Sequence, residues 1–238
     1  MASQLAHLLL LLPLATALPQ KFNIKPMVPN SIRLDSTFTL VVNVTDPALD
    51  FPTFPVHGLS LGTVRFGNQQ SIATVTNTTG AQFFLTSLDA TRGNADLAAW
   101  PLGLTLHPGA QPESGEFPRT QSLGVDAGYG TPGLSLPTKA PVDFSECPVL
   151  AAPEPGTYVV CDAGFDAPQH PRWMVRWVAG TAADVVPAKC VAVRLMPQCV
   201  RDGEVSKVAP LKEGETPVQA LCWDDIKTVD WKVSRAKC

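Results

Sequence analysis

Short runs with a period of two recur along this chain, separated by Gly and Pro, and no long stretch repeats its apolar residues at a helical interval. That pattern constrains the fold more than any other feature, because alternate residues of a strand point to opposite faces. Residues 37–45 are the clearest case. Phe38, Leu40, Val42 and Val44 share one face, expected to be buried, while Thr37, Thr39, Asn43 and Thr45 share the other with Val41 and are expected to face solvent. Further strands are expected at 59–66, 71–76, 81–87, 103–107, 157–162, 172–179 and 189–196. Asn77-Thr78-Thr79-Gly80 falls between two of them and has the residue types of a hairpin turn. Between Pro101 and Gly156 ten prolines remove backbone donors, so this region reads as loops and edge strands, with one short paired segment at 134–136. After Pro197 the composition turns charged, and 217–223 reads as one or two helical turns. The fold class expected is an antiparallel all-β sandwich or irregular barrel, with long Pro/Gly-rich loops and a disulfide-tied C-terminal extension.

The first 17 residues contain no Asp, Glu, Lys or Arg, and a run of leucines from Leu8 to Leu12 leads to Ala15-Thr16-Ala17. This is the apolar core and Ala-x-Ala end of a secretory leader, too short to cross a bilayer. The expected layout is a signal peptide over 1–17, a single β domain over 18–199 and an extension over 200–238 packed on it. All six cysteines lie at or after Cys147, an even number without CxxC spacing, which behind a leader reads as three disulfides. The sequons at Asn43 and Asn77 fit the same extracellular destination. A net charge of −3 without basic clusters argues against nucleic acid and anionic membrane as partners.

Strand geometry gives an expected cysteine pairing. If 189–196 is extended, Cys190 and Cys199 stand on the order of 25 to 30 Å apart, far beyond the ~7 Å that bonded Cα atoms tolerate, so they are not partners. If 157–162, 172–179 and 189–196 run as an up-down-up meander, Cys161 meets Cys199 at one edge and Cys190 meets Cys147 at the other. Cys222 is then left for Cys238.

Several segments carry a family likeness: Asn43-Val44-Thr45-Asp46-Pro47, Val56-His57-Gly58, Gly156-Thr157-Tyr158-Val159-Val160-Cys161, and above all Cys190-Val191-Ala192-Val193-Arg194-Leu195-Met196-Pro197-Gln198-Cys199. Over about residues 38–199 the chain resembles an uncharacterised family of secreted proteins of filamentous ascomycetes, known only as a domain of unknown function. The resemblance implies secretion and a compact β domain, and it implies no activity. Its members end soon after the position of Cys199, so residues 200–238 depart from the pattern.

Candidate chemistry is sparse. Gly58-Leu59-Ser60-Leu61-Gly62 matches the nucleophile elbow GxSxG, with His107 or His170 and Asp126 or Asp162 as partners for Ser60. The elbow needs a helix after the serine, however, and Thr63-Val64-Arg65-Phe66 alternates like a strand. Asp162 with Asp166, or Asp46 with Asp50, could serve as a glycosidase carboxylate pair, although turn-forming Asp accounts for both. No histidine lies at metal-ligand spacing from another or from a cysteine, and no metal or other cofactor is expected. Trp173 and Trp177 share a strand face with Val175, ~13 Å apart, a spacing on which a glycan could stack. Filling the core is the alternative, with Arg172 and Arg176 facing water. The function expected is that of a secreted, non-catalytic protein binding an extracellular glycan, protein or small apolar ligand. A secreted hydrolase is the alternative.

Overall fold

The computed structural model describes residues 32–66, 70–87, 94–95, 102–108, 117, 120–128, 130–139, 147–164, 172–180, 186–200 and 216–229. The expected leader, Trp100, Asp166, His170, Trp231 and Cys238 lie outside the described residues. Thirteen strands are found among the described residues: β1 (Ile32–Asp35), β2 (Phe38–Val44), β3 (Ser60–Phe66), β4 (Gln70–Thr76), β5 (Gln82–Thr86), β6 (Asn94–Ala95), β7 (Leu102–Pro108), β8 (Thr120–Ala127), β9 (Gly156–Asp162), β10 (Trp173–Ala179), β11 (Cys190–Cys199), β12 (Pro217–Val218) and β13 (Ala220–Trp223). No α-helix occurs among the described residues, only two single 3-10 turns.

Seven strands close on themselves in the order β2, β3, β4, β8, β10, β9, β11 and back to β2, every neighbouring pair antiparallel. Closure removes the unpaired edges that an open sheet would present. β5, β6 and β7 form a second path from β2 to β8. β13 lies between β1 and β11, parallel to β11.

Alternation places the core. Phe38, Leu40, Val42 and Val44 of β2 are all buried, and they meet Leu61, Val75, Leu123, Val160, Val175 and Leu195 from the other barrel strands in one large apolar cluster. Each such side chain contributes about 1.5–3 kcal/mol by leaving water. Backbone approach matters at Gly156, where any side chain would run into the Val178 carbonyl and the Trp177 indole.

The structure corrects several expectations. β8 is an interior strand in a region expected to hold loops and edge strands, whereas 134–136 forms no strand, although Leu134 and Leu136 are buried. β4 and β5 do not pair, so Asn77–Gly80 is a corner between strands and not a hairpin. Pro217–Trp223 forms β12 and β13 in place of helical turns, because Ala220, Leu221, Cys222 and Trp223 are all buried against the barrel. The outer face of β2 is not wet. Asn43 is 4% exposed, and on its face Val41, Met196, Trp223 and Ile226 build a small further core, so the solvent position expected for this sequon is wrong.

The three-strand meander is also reordered, because β9 lies between β10 and β11 and is antiparallel to both. Cys161 therefore faces Cys190 directly across β9 and β11, and the two are bonded with Cα atoms 4.0 Å apart. The second bridge joins Cys199 to Cys222 and ties β13 to the end of β11. Cys147 is also disulfide-bonded. The expected pairs Cys161–Cys199, Cys147–Cys190 and Cys222–Cys238 are thus each contradicted, while the expectation that Cys190 and Cys199 are not partners holds.

Candidate functional site

An open groove of about 600 Å³ lies at one end of β4. One lip is the corner after β4. There the Thr76 hydroxyl accepts from the Thr78 amide at 3.2 Å and lies 2.8 Å from the Thr78 hydroxyl, a local motif that competes well with sheet hydrogen bonding. Gly80 lets the chain cross tightly, since a Cβ there would stand 2.6 Å from the Leu61 carbonyl oxygen. The opposite wall comes from the loop between β2 and β3. Asp46 caps its 3-10 turn through the Ala48 amide, and Asp50 accepts from the amides of Phe51, Val56 and His57 at 2.8, 3.0 and 3.1 Å. Those two carboxylates shape a loop, the role turn-forming Asp ordinarily plays.

The loop so held presents Phe51 and Phe54 to Trp173. The ring centroids are 4.6 Å apart with a 53° tilt for Phe51, and 5.1 Å apart and nearly parallel for Phe54. Arg172 lies over the same indole at 5.0 Å and grips Asp162 with two hydrogen bonds of 3.0 Å. The Arg172 guanidinium holds the Asp162 carboxyl below its ordinary value. Phe54, Arg172, Trp173, Thr76, Asn77 and Thr78 thus border one groove with an aromatic floor, a cationic wall and a hydroxyl-bearing lip.

The two tryptophans do not form a common platform. Both are buried in the barrel core, at 8% and 5% exposure, one toward each end of β10. Trp177 packs edge-on against Tyr158 at 4.7 Å and borders a separate hollow of about 460 Å³. The core-filling alternative therefore describes the indoles, and its other half holds for Arg172, which is exposed, but fails for Arg176, which is 2% exposed under Phe117. The Arg176 Nε donates to Thr120, and burial lowers its pKa to about 10, so the group stays charged.

Ser60 opens β3 and faces Thr76 in the neighbouring strand, so a strand follows it where an elbow requires a helix. His107 and Asp126 do meet, across β7 and β8, where Gly124 leaves room for the imidazole. Asp126 raises the pKa of His107. Yet Asp126 pairs in register with Gln70, six positions along β4 from Thr76, which puts the dyad roughly 20 Å from Ser60. Thr105 is the hydroxyl beside the dyad. It donates to Asp126 at 2.7 Å and stands 3.0 Å from His107 Nε2, the nitrogen that also faces Asp126. A relay needs nucleophile and carboxylate on opposite ring nitrogens, so this cluster cannot pass a proton as a triad does. His57 uses Nδ1 to accept from the Val44 amide at 3.3 Å. Among the described residues no three His, Cys, Asp or Glu side chains gather as a metal site.

The features above define a class: a disulfide-bonded, closed antiparallel β-barrel with an aromatic-floored surface groove. Residues 35–199 match the family described as a domain of unknown function (DUF7907), and the chain belongs to that family. It is 25% identical over 224 residues, 87% of this chain and 95% of the relative, to the antigenic protein SchS34 of Stachybotrys chartarum. Because 87% of the chain exceeds the 199 residues up to Cys199, that likeness reaches beyond residues 1–199 into the segment expected to depart from the family. No solved structure matches the chain significantly.

Proposed function

We propose that the protein is secreted and acts outside the cell as a non-catalytic binder, holding an extracellular carbohydrate in the groove of Phe54, Trp173 and Arg172. The groove carries the reading: the part-exposed Phe54 ring, backed by the buried Trp173, offers a surface to the apolar face of a sugar, and a charged group and hydroxyls placed around it complete the usual composition of a small-ligand site. Secretion is supported by the leader-like start, by disulfides that cross-link barrel strands, and by a relative whose name calls it antigenic. The non-catalytic part is supported by how the reactive side chains are used, with Asp46 and Asp50 spent on backbone amides and His107 on Asp126 and Thr105.

Retention of the secreted protein on a panel of immobilised wall polysaccharides and host glycoproteins tests this. Freed of N-linked glycan, the protein should be retained on at least one polysaccharide, and Phe54→Ala treated in the same way should weaken that retention about tenfold, a loss of ~1.4 kcal/mol. Retention unaffected by Phe54→Ala, or found on no polysaccharide, contradicts the reading.

A further inference from the structure

Two sequons lie among the described residues, and the fold treats them in opposite ways. Asn43 sits inside β2, paired in register with Arg194 of β11, and its amide nitrogen is buried without a hydrogen-bond partner among the described residues. A glycan there would have to displace the layer of Val41, Met196, Trp223 and Ile226 beside it. Asn77 is exposed at the corner after β4, as are Thr78 and Thr79, the remaining residues of its sequon. It also borders the groove.

We infer that Asn77 carries an N-linked glycan whose first sugars lie along this groove, so that the protein's own carbohydrate occupies the site and closes it to external ligands. The inference rests on the carbohydrate reading of the groove and names how that site is regulated. The geometry is one of reach. Asn77 stands three residues, about 10 Å along the strand, from Thr74. The Thr74 hydroxyl donates to the Trp173 carbonyl at 2.6 Å, so the Trp173 and Phe54 rings begin one strand away from that point. The first two sugar rings of an N-glycan cover such a span. The side chains they would pass have the chemistry that sugars need, with the Thr76 and Thr78 hydroxyls at the lip and the stacked rings at the floor. In the attachment itself, the Asn77 amide nitrogen bonds to the anomeric carbon of a lipid-linked oligosaccharide diphosphate, the lipid diphosphate leaves, and the amide gives up one proton.

The test uses the full-length protein from a eukaryotic secretory host. Peptide mass spectrometry should find N-acetylhexosamine on Asn77 and none on Asn43. An endoglycosidase should release the Asn77 glycan about tenfold more slowly from native than from denatured protein, a protection of ~1.4 kcal/mol. Phe54→Ala should abolish that protection, and Thr79→Ala, which removes the sequon without touching Asn77, should expose the groove to the polysaccharide panel. An unmodified Asn77, a glycan on Asn43 in folded protein, native release at the denatured rate, or protection that survives Phe54→Ala overturns the inference. If Thr79→Ala binds a polysaccharide while the wild-type glycan is unprotected, the inference fails and the groove remains a binding site. If the glycan is protected and Thr79→Ala binds nothing, the inference stands and the reading as a receptor for external carbohydrate fails.

Discussion

The two sides of β10 are both buried and are built on different terms. On the inner side Trp173, Val175 and Trp177 join a wholly apolar cluster that reaches every strand of the barrel. On the outer side Met174 and Val178 join a smaller cluster with Phe117, Val159 and Cys161, and between them lies Arg176, whose Nη1 has no partner among the described residues. Ser122, directly opposite Arg176 on β8, also keeps a buried hydroxyl without a partner among the described residues. The inner side is held by area removed from water, whereas the outer side bears the cost of desolvating a cation and offsets it with one hydrogen bond and the face of Phe117. Alternation therefore tells which side is apolar, and not whether the other side is dry.

Four substitutions or pairs can break that comparison, taken here from the largest expected effect to the smallest. Phe38→Ala, which empties a fully buried site stacked on Phe83 at 6.2 Å, should cost about 3–5 kcal/mol in denaturant unfolding. The double variant Cys161→Ala with Cys190→Ala should cost about 2–4 kcal/mol, since it frees a loop with a sequence separation of 29 in the unfolded chain. Arg176→Met should change stability by less than about 1 kcal/mol or raise it, because it removes a buried charge and keeps an unbranched apolar stem. A loss as large as that of Phe38→Ala would mean that the outer layer depends on its guanidinium, and the contrast would fall.

The smallest effect is one of pH. The hydrogen bond that His107 donates to Asp126 raises the pKa of His107, burial opposes it, and the Asp126 charge adds to the rise. A raised folded-state value means that the pair contributes stability below the ordinary imidazole value of 6.5, and that this contribution is lost as the pH climbs through the higher folded value. Urea midpoints of the wild type should therefore decline on going upward from 6.5, and His107→Gln should flatten that decline. An equal slope in both proteins would remove the dyad from the account.

What the sequence made legible is the barrel's inner face, because the period of two in residues 37–45, 157–162 and 172–179 is the imprint of one wholly apolar side. β8 escaped because Thr120-Gln121-Ser122-Leu123-Gly124-Val125-Asp126 carries apolar residues only at Leu123 and Val125, and its small polar positions serve the buried outer layer. The order of β9, β10 and β11 escaped because sequence neighbours are usually spatial neighbours, whereas here β11 returns to the far side of β9. Each expected cysteine pair failed with that one step, while the exclusion of a Cys190–Cys199 bond held. In the groove, Trp173 stood out and Arg172 was expected only to face water, while Phe51 and Phe54 did not stand out, since Phe51-Pro52-Thr53-Phe54-Pro55 has no periodicity and gains its meaning only when Asp50 folds the loop onto β10.

The order of strands is the claim on which the core, the outer layer and the groove all depend, and the unreduced protein can be asked about it directly. Peptide mapping without reduction should yield one linked pair containing Cys161 and Cys190 and another containing Cys199 and Cys222. A linked peptide joining Cys161 to Cys199, or Cys147 to Cys190, would restore the simple meander and contradict the barrel described above.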